Sequence, residues 1–139
     1  MLNKVHLIGN LGQDPEIVNT ASGKVVAKFT LATSQRYKDN SGEIKTIIQW
    51  HRIQLWEALA GIAEKYLKKG SKVYLEGRIQ YQAYEDKEGV KRTSTDIVGN
   101  TLTMLTSYQE TEDKIKSKEV SQEGVKDIPL DEFVDDLPF

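Results

Sequence analysis

Apolar residues between Lys4 and Leu105 recur mainly at every second position, in runs that short polar tips separate. In Lys24 to Thr33, Val25, Ala27, Phe29 and Leu31 fall on one face. A period of two is the signature of a half-buried strand. Lys4 to Gly9 reads as a first strand, closed off by Gly9, Asn10 and Gly12. Turns are expected at Asp14-Pro15 and Ser22-Gly23, and hairpin tips at Lys38 to Gly42 and Asp86 to Gly89. Thr46 to Trp56 and Lys72 to Tyr84 are long strands, and Thr93 to Leu105 is one more strand or a broken pair. One segment changes period. Glu57 to Lys69 sets Leu59, Ile62, Ala63, Tyr66 and Leu67 at helical spacing. Lys68 and Lys69 complement its C-terminal dipole, and Gly70 follows as a stop. The chain therefore reads as all-β. One helix between the third and fourth strands is the order of an OB-fold, a five-stranded Greek-key barrel.

The 139 residues suffice for one domain and an appendage. The expected division is a domain over 1–108, a charged linker over 109–130 and an acidic tip over 131–139. Charge divides at the same place. Residues 1–108 hold fifteen basic and eleven acidic side chains, a net of +4, and residues 109–139 hold four and ten, a net of −6. A body that meets polyanions and a tail that does not would show this asymmetry. Glu, Lys, Ser and Gln after Tyr108 predict disorder. Against that background the ending is unusual. Phe133, Val134, Leu137 and Phe139 alternate with Asp131, Glu132, Asp135 and Asp136, and Pro138 fixes the backbone before the last ring. Such a hook fits an apolar pocket rimmed by cations on a partner. There is no cysteine, and hence neither disulfide nor thiolate metal site. The N-terminus lacks a signal pattern, and no run approaches the roughly 20 apolar residues of a membrane span. The chain is expected to be soluble and cytoplasmic, without metal or cofactor.

The chemistry concentrates on strand faces. Ile48, Trp50, Arg52, Gln54 and Trp56 share one face, and Ile47, Gln49, His51, Ile53 and Leu55 the other, the second set reading as core with two polar exceptions. Trp50 and Trp56 are about 20 Å apart along the strand, room for several nucleotides. Later, Tyr74, Glu76, Arg78, Gln80, Gln82 and Tyr84 share a face, with Val73, Leu75, Gly77, Ile79, Tyr81 and Ala83 as core. Tyr37 stands between Arg36 and Lys38 at the first hairpin. Each aromatic alone fits a packed sheet residue. Together, Tyr37, Trp50, Trp56 and Tyr84 with Arg and Lys between them match single-stranded nucleic acid: bases stack at roughly 1–3 kcal/mol each while cations track phosphates. Catalysis finds little support. His6 and His51 are the only histidines, and no HExxH, Walker or nucleophile-elbow motif occurs.

Asn3–Glu16 (NKVHLIGNLGQDPE), Leu31–Asp39 (LATSQRYKD), Trp50–Arg78 (WHRIQLWEALAGIAEKYLKKGSKVYLEGR) and the final DDLPF resemble the bacterial single-stranded DNA-binding proteins of replication. The resemblance covers residues 1–105 and the last five to nine. It implies an OB-fold assembling as a homotetramer, with His51 at a subunit interface, around single-stranded DNA. It maps the stacking aromatics onto Tyr37, Trp50, Trp56 and Tyr84, and the partner-binding tip onto Asp135, Asp136, Leu137, Pro138 and Phe139. Replication, recombination and repair proteins would bind that tip in the nucleoid. Glu57 and Ala58, and Gln82 and Ala83, stand where the family commonly has basic residues. The remaining phosphate contacts would be Lys4, Arg36, Lys38, Arg52, Lys69, Arg78, Lys87 and Arg92. The rival readings are an OB-fold accessory factor of a primosome or mobile element, binding RNA or partner proteins, and a nuclease or transferase with no candidate site.

Overall fold

The computed structural model describes residues 1–106. The expected linker and acidic tip, and the domain boundary at 108, lie outside the described residues. The elements are β1 (Val5–Leu11), β2 (Glu16–Asn19), β3 (Val25–Lys38), β4 (Ile44–Trp56), α1 (Ala58–Tyr66), β5 (Lys72–Glu85) and β6 (Lys91–Met104). The sheet runs β1-β5-β6-β4-β3-β2. A further β1–β3 pairing, Asn10 to Ala32 and Leu11 to Leu31, closes five of these strands into a barrel and leaves β2 on the flank of β3. The fold is thus the expected OB barrel. Counting the four-residue β2, the helix follows the fourth strand.

The period of two becomes the barrel interior. Phe29, Leu31, Ile53, Leu55, Val73 and Leu75 are buried inside, with Ala60, Ala63 and Leu67 from the helical segment in the same cluster. The helix is shorter than its pattern. Ile62 and Tyr66 are exposed, and small residues face the barrel instead. Glu57 has φ 52° and ψ −114°, a positive-φ turn conformation that ends β4 before the helix begins. Thr93 to Met104 belongs to one strand and not a broken pair, and Leu105 lies just past its end. A register shift at Glu76/Gly77 absorbs one extra residue of β6.

β3 with β4, and β5 with β6, run on beyond the barrel as two hairpin arms. β4 and β6 pair in parallel only at Ile53–Ile97 and Gln54–Val98, and the arms part from there. This corrects the alternation argument. Ile47, Gln49, Tyr81 and Ala83 have core parity, yet they are exposed, because the arms have no opposing layer to bury that face.

Candidate nucleic-acid interface

Barrel parity decides what faces out. Even positions of β3, β4 and β5, and of β6 before its register shift, share the outer face: the register sets Lys28 beside Gln54, Thr30 beside Arg52, Gln82 beside Ser94 and Tyr84 beside Arg92. A cleft on that face is lined by Lys28, Arg52, Gln54, Gln82, Tyr84, Ser94 and Asp96. It continues past Gln13, Glu16 and Thr30 at one end, and past Asp86, Lys87, Glu88 and Arg92 at the other. The result is one groove across the barrel and up the second arm.

Trp50 borders the first end, 59% exposed. A Cβ built on Gly12 would collide with its indole and lie 2.8 Å from Thr30 Oγ1. Only a residue without a side chain lets the ring settle against the loop after β1. That loop is tied down. Gly12 N–H donates to the Thr30 carbonyl at 3.0 Å, and Leu11 N–H to the Ser71 carbonyl at 3.0 Å. Asp14 Oδ1 accepts from Lys69 N–H at 2.7 Å. The Asn10–Asp14 stretch of the first family-like block thus clamps the helix exit and sets the platform for an aromatic.

Charge in the groove is less simple than a count of cations. Arg52 Nε lies 3.1 Å from Asp96 Oδ1, with the Arg52 side chain 62% exposed and the Asp96 side chain 4%. Gln54 Nε2 and Ser94 Oγ donate to Asp96 Oδ2 at 3.2 and 3.3 Å. Arg92 pairs with Asp86 at 2.6 Å, and this guanidinium holds the Asp86 carboxyl below its ordinary range. Lys4 pairs at 3.0 Å with Glu76 on the β1–β5 side of the barrel. There Tyr74 hydroxyl donates to Glu76 Oε1 at 2.6 Å and holds that carboxyl low, while the same contact pushes the phenol up.

Of the residues expected from sequence, Arg52, Tyr84, Lys87 and Arg92 line the groove and its extension, and Trp50 flanks it. Trp56 is half-buried at the end of β4, opposite Val26. Arg78 is exposed on the outer face of β5, opposite Val98. Arg36, Tyr37 and Lys38 are exposed on the first arm, where Tyr37, paired with Lys45, has the parity opposite to Trp50. Lys4 and Lys69 fall outside the groove lining. His51 Nε2 is 2.8 Å from Thr33 Oγ1 at the base of the first arm. Asp135, Asp136, Leu137, Pro138 and Phe139 lie outside the described residues. Lys28, Ser94 and Asp96 escaped the sequence reading. Strand parity carried to β3 and β6 would have found them, since all three sit at even positions. Among the described residues no group of three or more His, Cys, Asp or Glu is placed to hold a metal ion, and no helix is long and apolar enough to cross a membrane.

Residues 2–105 match the Single-strand binding protein family. The Single-stranded DNA-binding protein 1 of Chlorobaculum tepidum is 52% identical over 105 residues, 75% of this chain and 65% of that protein. The single-stranded DNA-binding protein of Neisseria meningitidis serogroup A is 49% identical over 104 residues, 75% of this chain and 60% of that protein. The matched stretch therefore spans less than two thirds of these relatives' length. Among solved structures, a Plasmodium falciparum SSB in complex with ssDNA superposes with a TM-score of 0.72 at 32% identity, covering 76% of this chain and 97% of that one. A deletion variant of the single-stranded DNA binding protein from Thermus aquaticus gives 0.68 at 28% identity, covering 76% and 51%.

Proposed function

The chain belongs to the single-strand binding protein family, and from that premise we propose that it binds single-stranded DNA with little sequence preference and without catalysis. The observation that carries this reading is the outer-face groove, bordered by Trp50 and Tyr84 with Lys28 and Arg52 between them. Aromatic faces accept any base, and cations follow any backbone, so such a groove distinguishes strandedness and not sequence. It would protect exposed strands, and melt hairpins by trapping their unpaired state, during replication, recombination and repair in the cytoplasm and nucleoid.

The working unit in this reading is a homotetramer. Among the described residues, β1 pairs with β5 from Val5 to Asn10 but with β3 only at Asn10 and Leu11, which leaves its other edge without a strand partner there along most of its length. An available edge favours pairing with another chain. Ile8, Ile44, Ile47, Ile48 and Tyr81 are exposed, more apolar surface than a lone subunit benefits from showing. His51 at the base of the first arm is the proposed interface histidine. The tip Asp135–Phe139 is proposed to recruit replication, recombination and repair proteins, with Phe139 in an apolar pocket and the aspartates at its rim.

Titration of intrinsic tryptophan emission with oligothymidylates of several lengths, at two salt concentrations, tests the proposal. Strong quenching that weakens with salt is expected. Unchanged emission and no complex at saturating DNA would sink it.

A further inference from the structure

We propose that Asp96 is the positioning residue of the groove. Set beneath Arg52 and Gln54, it holds both and cancels the Arg52 charge, so that Arg52 meets the bases of a bound strand and not its phosphates. The inference rests on the single-strand reading above and deepens it.

A buried carboxylate is costly unless its charge and lone pairs are met. Asp96 is buried on the outer face of β6, at the place where the arms part. All three of its partners come from the groove: Arg52 Nε at 3.1 Å, Gln54 Nε2 at 3.2 Å and Ser94 Oγ at 3.3 Å. Among the described residues no hydrogen bond is aligned on Oδ1, so charge alone ties Arg52 there. The donors are taken selectively. Arg52 is engaged through Nε, which leaves its two terminal amino groups for a ligand. Gln54 is engaged through Nε2, which leaves Oε1 as an acceptor.

The floor of the groove therefore offers donors and an acceptor side by side with no net charge. A phosphate arriving there meets a guanidinium whose carboxylate partner lies directly behind it, and the attraction is largely cancelled. A base loses nothing by that cancellation. Its ring stacks on the guanidinium plane, and its edge always carries acceptors for the free amino groups. Lys28, beside Gln54 in the register, differs. Its neighbour on the other side is Glu16 of β2, but among the described residues the two form no ion pair and no carboxylate is buried beneath Lys28, so its charge is available to the backbone. One groove thus separates a base contact from a phosphate contact by whether a carboxylate sits beneath the cation.

Salt dependence distinguishes the two roles. On single strands, log K falls against log salt by about 0.7 for each phosphate neutralised. Oligothymidylate affinity is measured across a salt series for four full-length proteins. Lys28→Gln should flatten the wild-type slope by about 0.7. Arg52→Gln/Asp96→Asn, which removes the neutral pair as a unit, should weaken binding by a similar factor at every salt concentration and leave the slope unchanged. Asp96→Asn, equal in shape, should free the Arg52 charge and steepen the slope by about 0.7, with weaker binding than wild type at high salt. An Arg52→Gln/Asp96→Asn slope flattened like that of Lys28→Gln would make Arg52 a phosphate contact and overturn the proposal. So would an Asp96→Asn protein with wild-type slope and affinity, which would mean a merely structural carboxylate. Should Asp96→Asn fail to fold, Arg52→Gln/Asp96→Asn decides alone, because it removes both charges and leaves no buried carboxylate without its cation. Either overturning result beside normal wild-type binding leaves the single-strand reading intact. Wild-type protein that binds no oligothymidylate at any salt removes that reading and this inference with it.

Discussion

At the end of the β3–β4 arm, Asp39 Oδ1 accepts from the N–H groups of Ser41 and Glu43, both at 2.9 Å, and Oδ2 pairs with Lys45 at 3.0 Å. At the end of the β5–β6 arm, Asp86 Oδ1 accepts from Glu88 and Val90 N–H, both at 3.0 Å, and Oδ2 pairs with Arg92 at 2.6 Å. Each tip has a glycine three residues after the aspartate with positive φ, Gly42 at 85° and Gly89 at 77°. Each closes the ladder from the aspartate N–H to the carbonyl four residues on. The spacing Asp-x-x-Gly-x-x-Lys/Arg thus occurs twice and builds one turn twice. Behind the tips the arms differ. The first carries Trp50 against Gly12 and three exposed isoleucines, and the second carries Gln80, Gln82, Tyr84 and the groove extension. A shared tip makes both arms stiff, while the faces give them different work: stacking is concentrated on the first, and polar lining on the second.

Removing the stacking ring from each arm tests that division most severely. Trp50→Ala and Tyr84→Ala should each lose about 1–3 kcal/mol of binding per stacked base, with Trp50 at the upper end because its ring is larger and held against the loop. Fluorescence anisotropy of a labelled oligothymidylate reads both without relying on tryptophan emission. Equal losses would mean that the arms contribute alike. Gly12→Ala sharpens the point. It keeps the indole and lifts it from its seat, so it should lose part of what Trp50→Ala loses and change the tryptophan emission of the free protein.

The tips were legible from sequence because everything that builds them lies within seven residues. The barrel was legible because its period of two survives in Phe29, Leu31, Ile53, Leu55, Val73 and Leu75, all of which are buried. Parity failed along the arms, where Ile47 and Tyr81 keep the core phase after the core has ended. Where a strand leaves its barrel is a tertiary fact that no local spacing encodes. The site was half legible for the same reason. Aromatics and cations announce themselves by type, so Trp50, Arg52 and Tyr84 stood out. Asp96 did not, since an acidic residue in a site for a polyanion looks wrong until its pairing with Arg52 is seen. Lys4 and Arg92 looked free in sequence and are claimed by Glu76 and Asp86.

A smaller effect is expected at the two glycines, and it should be nearly the same in both arms. An L-residue placed in the left-handed region loses about 1–2 kcal/mol. Open space surrounds the Cβ position at Gly89, and at Gly42 only the end of the flexible Lys38 side chain comes within 4 Å, so backbone conformation dominates in each. Gly42→Ala should speed amide exchange at Ser41 and Glu43, and Gly89→Ala at Glu88 and Val90. The barrel amides should keep their protection, because the tips open locally. Faster exchange throughout the protein would show that the arms and barrel unfold as one unit.

The smallest effect separates the tips by acidity. The Ser41 hydroxyl donates to Asp39 Oδ1 at 2.6 Å, and with Lys45 and the Glu43 N–H it holds this carboxyl down to about 2, from an ordinary 3.8. Asp86 is lowered as well, chiefly by Arg92 and then by the Val90 N–H, but to a lesser extent, for Glu88 stands where Ser41 stands and its side chain supplies no such donor. A carboxyl whose value is depressed in the closed tip favours closure at pH values above the open-chain value. That advantage fades as pH falls through the closed-tip value. Both tips should therefore be intact at pH 5. On acidification, the amide signals of Glu88 and Val90 should move first, and those of Ser41 and Glu43 should hold until the pH nears about 2. Ser41→Ala removes the extra donor without touching the backbone turn, and it should bring the first arm's transition up toward that of the second. If the two tips titrate together in the wild type, or if Ser41→Ala leaves the order unchanged, the hydroxyl is not what distinguishes them. The different cations at Lys45 and Arg92 would then have to carry the difference.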